Sequence, residues 1–422
     1  MRARLVALVA GLAMLALASP AQAQLIVSVT FDDGVADQAT AVPILAAHGM
    51  RATFYVNSAR IGHSGYLTLR QVRALQTEGH EIGGHTATHA NLPLLDDAAR
   101  QREICGDRAA LLADGLSVRN LAYPFGGQDP AVQQIAAACG YDSARLASGI
   151  VSPTSCRGCP VSDTIPPENI YAIRAVDSFE VDTQLAVVEG QIRAAQAAGG
   201  WLPLTLHHVC DGCNQYGVTA DWFAQLLDFL AAQPDITVLP VGDVIGGPVT
   251  PAVPAPQVTP TSARALLQNG GLELLGTGGV PLCFETGGAG SATAAWHTVS
   301  GFGGQGTAMQ VRISRLPPKS DAKLISKRDA GICAPRAQPG QRYRVRARYR
   351  TLQDARLVAY IRDGDGAWTY YGQSDPLRAT RTWRQASWRM PRLPAGTSAV
   401  SVGISLRSRG VLTVDDVNVG PA

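Results

Sequence analysis

Charge is scarce in this sequence. Asp, Glu, Lys and Arg make up 16% of its 422 residues and leave a net charge of +3. So weak a field offers little to nucleic acid or to an anionic membrane surface, and neither is expected as a partner. Long apolar runs are missing as well: past the N-terminus nothing approaches the roughly 20 residues that a membrane span needs. What remains is a chain long enough for about two domains, each with its own core.

The N-terminus reads as an export signal. Arg2 and Arg4 precede the apolar run Leu5 to Leu17, and Ala21-Gln22-Ala23 is a small-residue cleavage pattern. Residues 1–23 are therefore expected to be a signal peptide, and the mature chain to be secreted or periplasmic.

From Leu25 to about Gly246, short apolar runs alternate with amphipathic stretches. Strands are expected at 25–31, 52–56, 80–85, 121–124, 171–176, 201–207 and 236–240. Helices are expected at 37–48, 68–78, 96–112, 130–139, 181–198 and 219–232. Such alternation predicts an α/β fold with a parallel sheet and helices outside, and about seven units would nearly close a barrel. In a barrel the loops after the strands converge on one face. That face would collect the residues of unusual chemistry. Asp32-Asp33-Gly34 closes the first strand, His85-Thr86-Ala87-Thr88-His89 follows the third, Tyr123-Pro124-Phe125-Gly126 ends the fourth, and His207 ends the strand that starts at Trp201.

Two adjacent carboxylates at the end of a buried strand are costly unless cations and hydrogen bonds satisfy them or a ligand uses them. His85 and His89, four apart, would face one side of a helical turn. The pair alone is as compatible with a surface or capping role. Joined to Asp33 it makes a two-histidine, one-carboxylate metal site with open positions for water and substrate. Asp32 would then be placed to take a proton from that water and His207 to give one to a leaving group, while the Phe125 N–H could hold an oxyanion. His208 follows His207, and strand neighbours point to opposite faces, so only one of the two is expected in the site.

Thr-Phe-Asp-Asp-Gly, His-Thr-x-x-His, the Pro-Phe-Gly turn and Leu-Thr-Leu-His resemble, in order and separation, the polysaccharide deacetylases of carbohydrate esterase family 4. The resemblance spans about Leu25 to Gly246. It implies a distorted barrel, an acetylated polysaccharide as substrate, Asp32 as catalytic base and His207 as catalytic acid. It also implies a divalent metal on Asp33, His85 and His89, usually zinc, with cobalt or nickel as alternatives. Removal of N-acetyl groups from an amino-sugar polymer is the expected reaction. O-acetyl hydrolysis on a polymer such as acetylxylan, or a barrel that binds carbohydrate without catalysis, are the alternatives. Tyr123 and Phe125 are expected on the oxyanion and substrate side. The sequence departs from the family pattern twice. Ala122 stands where an arginine usually supports the base, with Arg145 and Arg174 as candidates to replace it, and the Asp/Trp motif that orients the acid histidine has no clear match.

Eight cysteines in an exported chain point to disulfides. Cys105 is expected to pair with Cys139 and Cys283 with Cys333. The pairs Cys156/Cys159 and Cys210/Cys213 read as disulfides or, together, as a structural zinc site. Tethering Cys210 to Cys213 would stiffen the loop that carries His207. Residues 247–262 hold five prolines and read as an extended spacer. Residues 263–422 read as strands alone, with strict alternation from Arg342 to Arg350, and predict a β-sandwich. Asn269 to Glu273 and Val414 to Val417 resemble the galactose-binding type of jelly roll found in carbohydrate-binding modules. There Glu273 and Asp416 could help hold a calcium ion. Trp296, Trp368, Tyr370, Tyr371, Trp383 and Trp388 are either core or sugar-stacking platforms. The arginines of 342–350 read as a solvated sheet face rather than a site for an anionic polymer.

Overall fold

The computed structural model describes residues 24–152, 155–257, 265–329 and 331–422. The expected signal peptide and the end of the proline-rich spacer lie outside them. Among the described residues no helix is long and apolar enough to cross a membrane.

Seven parallel strands form the first body: β1 (Leu25–Phe31), β2 (Thr53–Val56), β3 (Glu81–Gly84), β4 (Val118–Ala122), β5 (Ser143–Gly149), β6 (Ile173–Ala175) and β7 (Gly200–Leu206). They pair in chain order from β1 to β6, and β7 returns to β1 along its whole length, Leu25 opposite Gly200 through Phe31 opposite Leu206. Past β6, the Val176 N–H donates to Pro203 O and the Phe179 N–H to Thr205 O, which ties the circle shut as a distorted barrel. The short strands β8 (His208–Val209) and β9 (Gly217–Val218) pair with each other, and β10 (Ile236–Val238) pairs with the start of β1. Helices α1 (Ala41–Ala47), α2 (Leu69–Thr77), α3 (Asp97–Ala113), α4 (Pro130–Ala138), α5 (Leu185–Ala198), α6 (Ala220–Ala231) and α7 (Val241–Ile245) connect them. α2 starts in a full capping box between Thr68 and Gln71. Asp96, Asp129 and Thr219 cap α3, α4 and α6.

The expected strand order lacks one member. β5 has the sequence Ser-Ala-Arg-Leu-Ala-Ser-Gly, with little apolar content and an arginine in the middle, so its alternation does not read as a strand. It nevertheless lies between β4 and β6, and Arg145 is buried there. Gly83 and Gly84 at the end of β3 are required by close approach: a Cβ would run into the Tyr55 ring at the first and the Tyr141 hydroxyl at the second.

Beyond the spacer stand ten antiparallel strands: β11 (Phe284–Gly287), β12 (Thr293–Ser300), β13 (Thr307–Arg315), β14 (Ala322–Ser326), β15 (Arg342–Thr351), β16 (Ala355–Arg362), β17 (Trp368–Gln373), β18 (Thr380–Arg392), β19 (Ala399–Leu406) and β20 (Gly410–Pro421). They form two five-stranded sheets, β11-β14-β19-β16-β17 and β12-β13-β20-β15-β18, around a separate core that includes Val345, Ala347, Val402 and Val414. On β15, Tyr343, Val345, Ala347 and Tyr349 are buried and the alternating arginines are not. Trp296, Tyr371 and Trp388 pack against this core, the Arg350 guanidinium covers the Trp383 ring, and Tyr370 is half-exposed. Glu273 accepts from the Thr307 N–H and Asp416 pairs with Arg348, so both expected calcium ligands have protein partners.

The two bodies touch. Arg362 of β16 forms a buried ion pair with Asp114, which follows α3, at 3.0 Å, and the Leu69 N–H donates to Asp365 O. The start of the spacer is strapped down rather than free. Buried Arg108 donates to the carbonyls of Thr250 and Pro251, and Thr250 Oγ1 donates to Gly140 O. The cysteines form four disulfides, Cys105–Cys139, Cys156–Cys159, Cys210–Cys213 and Cys283–Cys333. The two C-x-x-C pairs are thus separate loops and do not join in one zinc site.

Candidate functional site

The residues of unusual chemistry lie on the loops that leave the C-terminal ends of strands, five of them one step past the strand. Asp32 follows β1, Asn57 follows β2, His85 follows β3, Tyr123 follows β4 and His207 follows β7. Strand direction alone therefore brings them to one rim.

Asp33, His85 and His89 converge there. The Nε2 of His89 lies 3.2 Å and that of His85 3.8 Å from the Oδ1 of Asp33. Zinc–nitrogen and zinc–oxygen bonds of about 2.0–2.2 Å at tetrahedral angles place ligand atoms about 3.3–3.5 Å apart, close to this spacing. Two of the three atoms, Asp33 Oδ1 and His85 Nε2, are buried and have no hydrogen-bond partner. Buried polar atoms left unpaired cost free energy, and a cation between them would remove that cost. His85 Nδ1 meets the carbonyl of Ala122 at 2.8 Å, so Nδ1 carries the proton and Nε2 presents a lone pair. The residues fit a divalent metal.

His85 and His89 do not share a helical turn, contrary to what their spacing suggests. They lie on a loop in which Thr86 and His89 both take left-handed backbone conformations. Asp33 and Phe125 are left-handed too, so four of the nine non-glycine residues with positive φ among those described sit at this rim. Backbone strain of that kind persists only where the surroundings over-determine it. Here they do. Asn57 donates to the carbonyls of both His85 and Thr86, Thr86 Oγ1 accepts from the His89 N–H, and Glu103 on α3 accepts from the amide and hydroxyl of Thr88.

Asp32 is buried beside this cluster. Burial pushes its carboxyl up, but the Arg145 guanidinium, with His85 and His207, outweighs that and holds it at about 2. Arg145 is itself wholly buried and hydrogen-bonds Asp32 Oδ1, with its guanidinium carbon 5.0 Å from the centre of the Tyr55 ring. Arg174, the other candidate for this part, pairs with Asp163 and Glu168 instead. Position 122 contributes a backbone carbonyl where the family pattern has an arginine, and the cation comes from the next strand.

His207 lies against Tyr216, ring centres 5.3 Å apart, and its buried Nδ1 has no hydrogen-bond partner. Burial lowers its pKa against the opposing pull of Asp32 and Asp33. His208 diverges, as strand geometry predicts, and contacts Asp37 at 2.7 Å. Gln38, fully buried, joins the two sides through one nitrogen that donates to the carbonyls of Asp32 and His207. Phe125 is 69% exposed and its ring meets His89 edge-on at 4.6 Å. Tyr123 is buried, its hydroxyl donating to Tyr171 O and its amide to Arg145 O, so both of its donors are used inside the fold.

Asn57, Glu103 and Gln38 escaped the sequence reading because single polar residues carry no period. A polar residue directly after a buried strand, as Asn57 is, was the available signal.

The polysaccharide deacetylase family matches residues 20–144. A chitin deacetylase of Pestalotiopsis sp is 40% identical over 72 residues, 17% of this chain and 24% of that protein. A chitooligosaccharide deacetylase of Rhizobium leguminosarum bv. trifolii is 35% identical over 86 residues, 20% of this chain and 38% of that protein. The matches thus span between about a quarter and two fifths of the length of these curated relatives. Among solved structures, the Xyl-CE4 domain of a multidomain xylanase from the hindgut metagenome of Trinervitermes trinervoides aligns with a TM-score of 0.39 at 16% identity. That alignment covers 54% of this chain and 94% of that one.

Proposed function

We propose that this chain, whose residues 20–144 match the polysaccharide deacetylase family, is an exported, metal-dependent deacetylase that hydrolyses N-acetyl groups on an amino-sugar polysaccharide. The reading rests first on one observation: two buried ligand atoms without a hydrogen-bond partner, on Asp33 and His85, face a third on His89 beside a buried carboxylate that stays ionised. Asp33, His85 and His89 would hold the metal, with zinc the first candidate. A bound divalent cation supplies a Lewis acid for the acetyl carbonyl and acidifies water.

The chain's own residues do the rest. Asp32, kept ionised by Arg145, accepts the proton of the attacking water. His207, close enough to Asp32 and Asp33 to feel both carboxylates, has its Nδ1 uncommitted. Burial keeps it neutral at rest; negative charge gathering on the substrate lets it take a proton from solvent and give it to the leaving amine, while the proton accepted by Asp32 returns to solvent. The Phe125 N–H, on a left-handed turn, is the oxyanion donor. The separation of Asp32 and His207 stays fixed because Gln38 ties both backbones. Residues 263–422 serve as a carbohydrate-binding module that keeps the barrel near polymer.

The test is acetate release from N-acetylglucosamine oligomers and from acetylxylan, on metal-stripped protein before and after zinc or cobalt is restored. Metal-restored release from the oligomers supports the reading, and a preference for acetylxylan replaces amide with ester. Metal binding with no release from either would make the barrel a binding protein.

A further inference from the structure

We propose that Asp37, His208, Cys210 and Cys213 form a second metal site, gated by the redox state of the Cys210–Cys213 disulfide. One ligand atom from each of the four lies within 4.8 Å of the others. Asp37 Oδ2 is 2.7 Å from His208 Nδ1, and Cys213 Sγ is 3.9 Å from both. In a tetrahedral zinc site with bonds of about 2.3 Å to sulfur and about 2.0 Å to nitrogen and oxygen, sulfur stands about 3.5 Å from either light atom. Nitrogen and oxygen stand about 3.3 Å apart there. Opening the S–S bond frees the two sulfurs to separate; Cys213 Sγ and the Asp37–His208 pair then need shifts of about half an ångström, and Cys210 Sγ closes in from within 4.8 Å, to reach that arrangement. The Val209 N–H donates to the other oxygen of Asp37 at 3.1 Å and so fixes the carboxylate from behind, as outer hydrogen bonds commonly do for a ligand.

The cluster differs from Asp33, His85 and His89 in kind. Two sulfurs, a nitrogen and an oxygen leave no open position, which marks a structural site rather than a reactive one. The disulfide also differs from the buried staples Cys105–Cys139 and Cys283–Cys333, which close separations of 34 and 50 residues. Cys210 and Cys213 are three apart, and so short a loop removes little entropy from the unfolded chain. Cys213 is exposed, so a reductant can reach it. A dithiol reductant delivers two electrons and two protons, cleaves the S–S bond and leaves as its own disulfide. The two thiols then lose their protons as the metal binds their sulfurs. In one state a covalent bond clamps the loop after His207, and in the other a metal ion does. Cys156–Cys159 has the same spacing but belongs to no such cluster among the described residues, and it serves as an internal control.

The experiment is cobalt titration of the full chain, oxidised and after mild reduction with a phosphine, which makes the same two-electron cleavage. Bound metal per chain and the near-ultraviolet thiolate-to-cobalt charge-transfer band are read together with the count of free thiols. The expected result is one further ion per chain on reduction, accompanied by the band. Both should be lost in Asp37→Ala and in His208→Ala, retained in Cys156→Ser/Cys159→Ser, and absent from every oxidised sample. Asp37→Asn and His208→Gln repeat the test where the alanine variants fold poorly. An unchanged metal count once the Cys210 and Cys213 thiols are free overturns the site. So does a band that survives loss of either Asp37 or His208, since the thiol pair would then bind cobalt by itself.

Discussion

Arg145 hydrogen-bonds Asp32 across the barrel, from the middle of β5 to the end of β1, 113 residues apart in sequence. Both side chains are essentially buried, and the pair settles the charge of the carboxylate at the rim. Without the guanidinium, burial would act on Asp32 with less opposition, and its pKa would rise from about 2. A lowered carboxyl contributes stability above its unfolded value, near 3.9, and loses that contribution as pH falls through about 2. Arg145→Met should therefore move the acid limb of the deacetylation pH profile upward. Arg145→Lys keeps the charge but loses the planar fork, and should fall between the two. An unshifted acid limb in Arg145→Met, in an otherwise folded enzyme, would remove Arg145 from this part.

Asp32 and His85 should separate under substitution. Asp32→Asn leaves the three converging ligand atoms intact and should bind one equivalent of metal with turnover reduced by at least about 10²-fold. His85→Ala removes one of those atoms and should lose both metal and turnover. Metal content by mass spectrometry beside acetate release distinguishes them. Asp32→Asn with a near-normal rate would place the base elsewhere.

The sequence made the barrel legible wherever a strand was apolar. β1 has the expected bounds, and the helices with capping residues lie within a few residues of expectation. β5 was not legible, because Arg145 is buried by pairing with Asp32 and only the folded chain provides that partner. The same holds for the histidine pair. Spacing of four suggests a helical turn, whereas the loop depends on left-handed Thr86 and His89, which Asn57 and Glu103 stabilise from elsewhere in the chain. Ligand identity was local information, and ligand geometry was tertiary.

Asp107 gives stability an alkaline slope. Burial pushes its carboxyl up to about 7, against hydrogen bonds from the Ser58 amide and the Tyr141 hydroxyl. Between about pH 4 and 7 the folded chain holds a proton that the unfolded chain has released. The contribution is complete below about pH 4 and disappears as pH rises through 7. Asp107→Asn keeps an acceptor for Ser58 and cannot ionise. Its stability relative to the parent, read from thermal melts, should rise from pH 5 to 8, reaching roughly 2–4 kcal/mol of advantage at the top. Parallel curves would mean that Asp107 ionises normally.

Arg362 and Asp114 hold the sandwich to the barrel through a buried pair. Removing one partner leaves the other charge buried and unpaired, so Arg362→Ala should cost about 3–5 kcal/mol. The double variant Arg362→Ala/Asp114→Ala should cost less than the sum of the single ones. Thermal melts of the four proteins measure the coupling. Additive costs would show that the contact does not operate as a pair.

Asn57 touches none of the three converging ligand atoms, yet its amide nitrogen donates to the carbonyls of His85 and Thr86 and so stabilises a turn that the backbone would otherwise leave. Thr86 and His89 each adopt a conformation that non-glycine residues avoid, and the turn brings His89 Nε2 to 3.2 Å from Asp33. Loss of such a supporting contact typically costs a metal site about 10–100-fold in affinity. Asn57→Ala should weaken metal binding by that factor while leaving the barrel folded, and excess metal should restore much of the turnover. Asn57→Asp keeps an acceptor but not the donor the two carbonyls need, so it should behave like alanine. A weakened metal with rescue by excess metal is the signature of a positioning residue. Full affinity in Asn57→Ala would mean that Glu103 and Thr86 suffice to hold the turn.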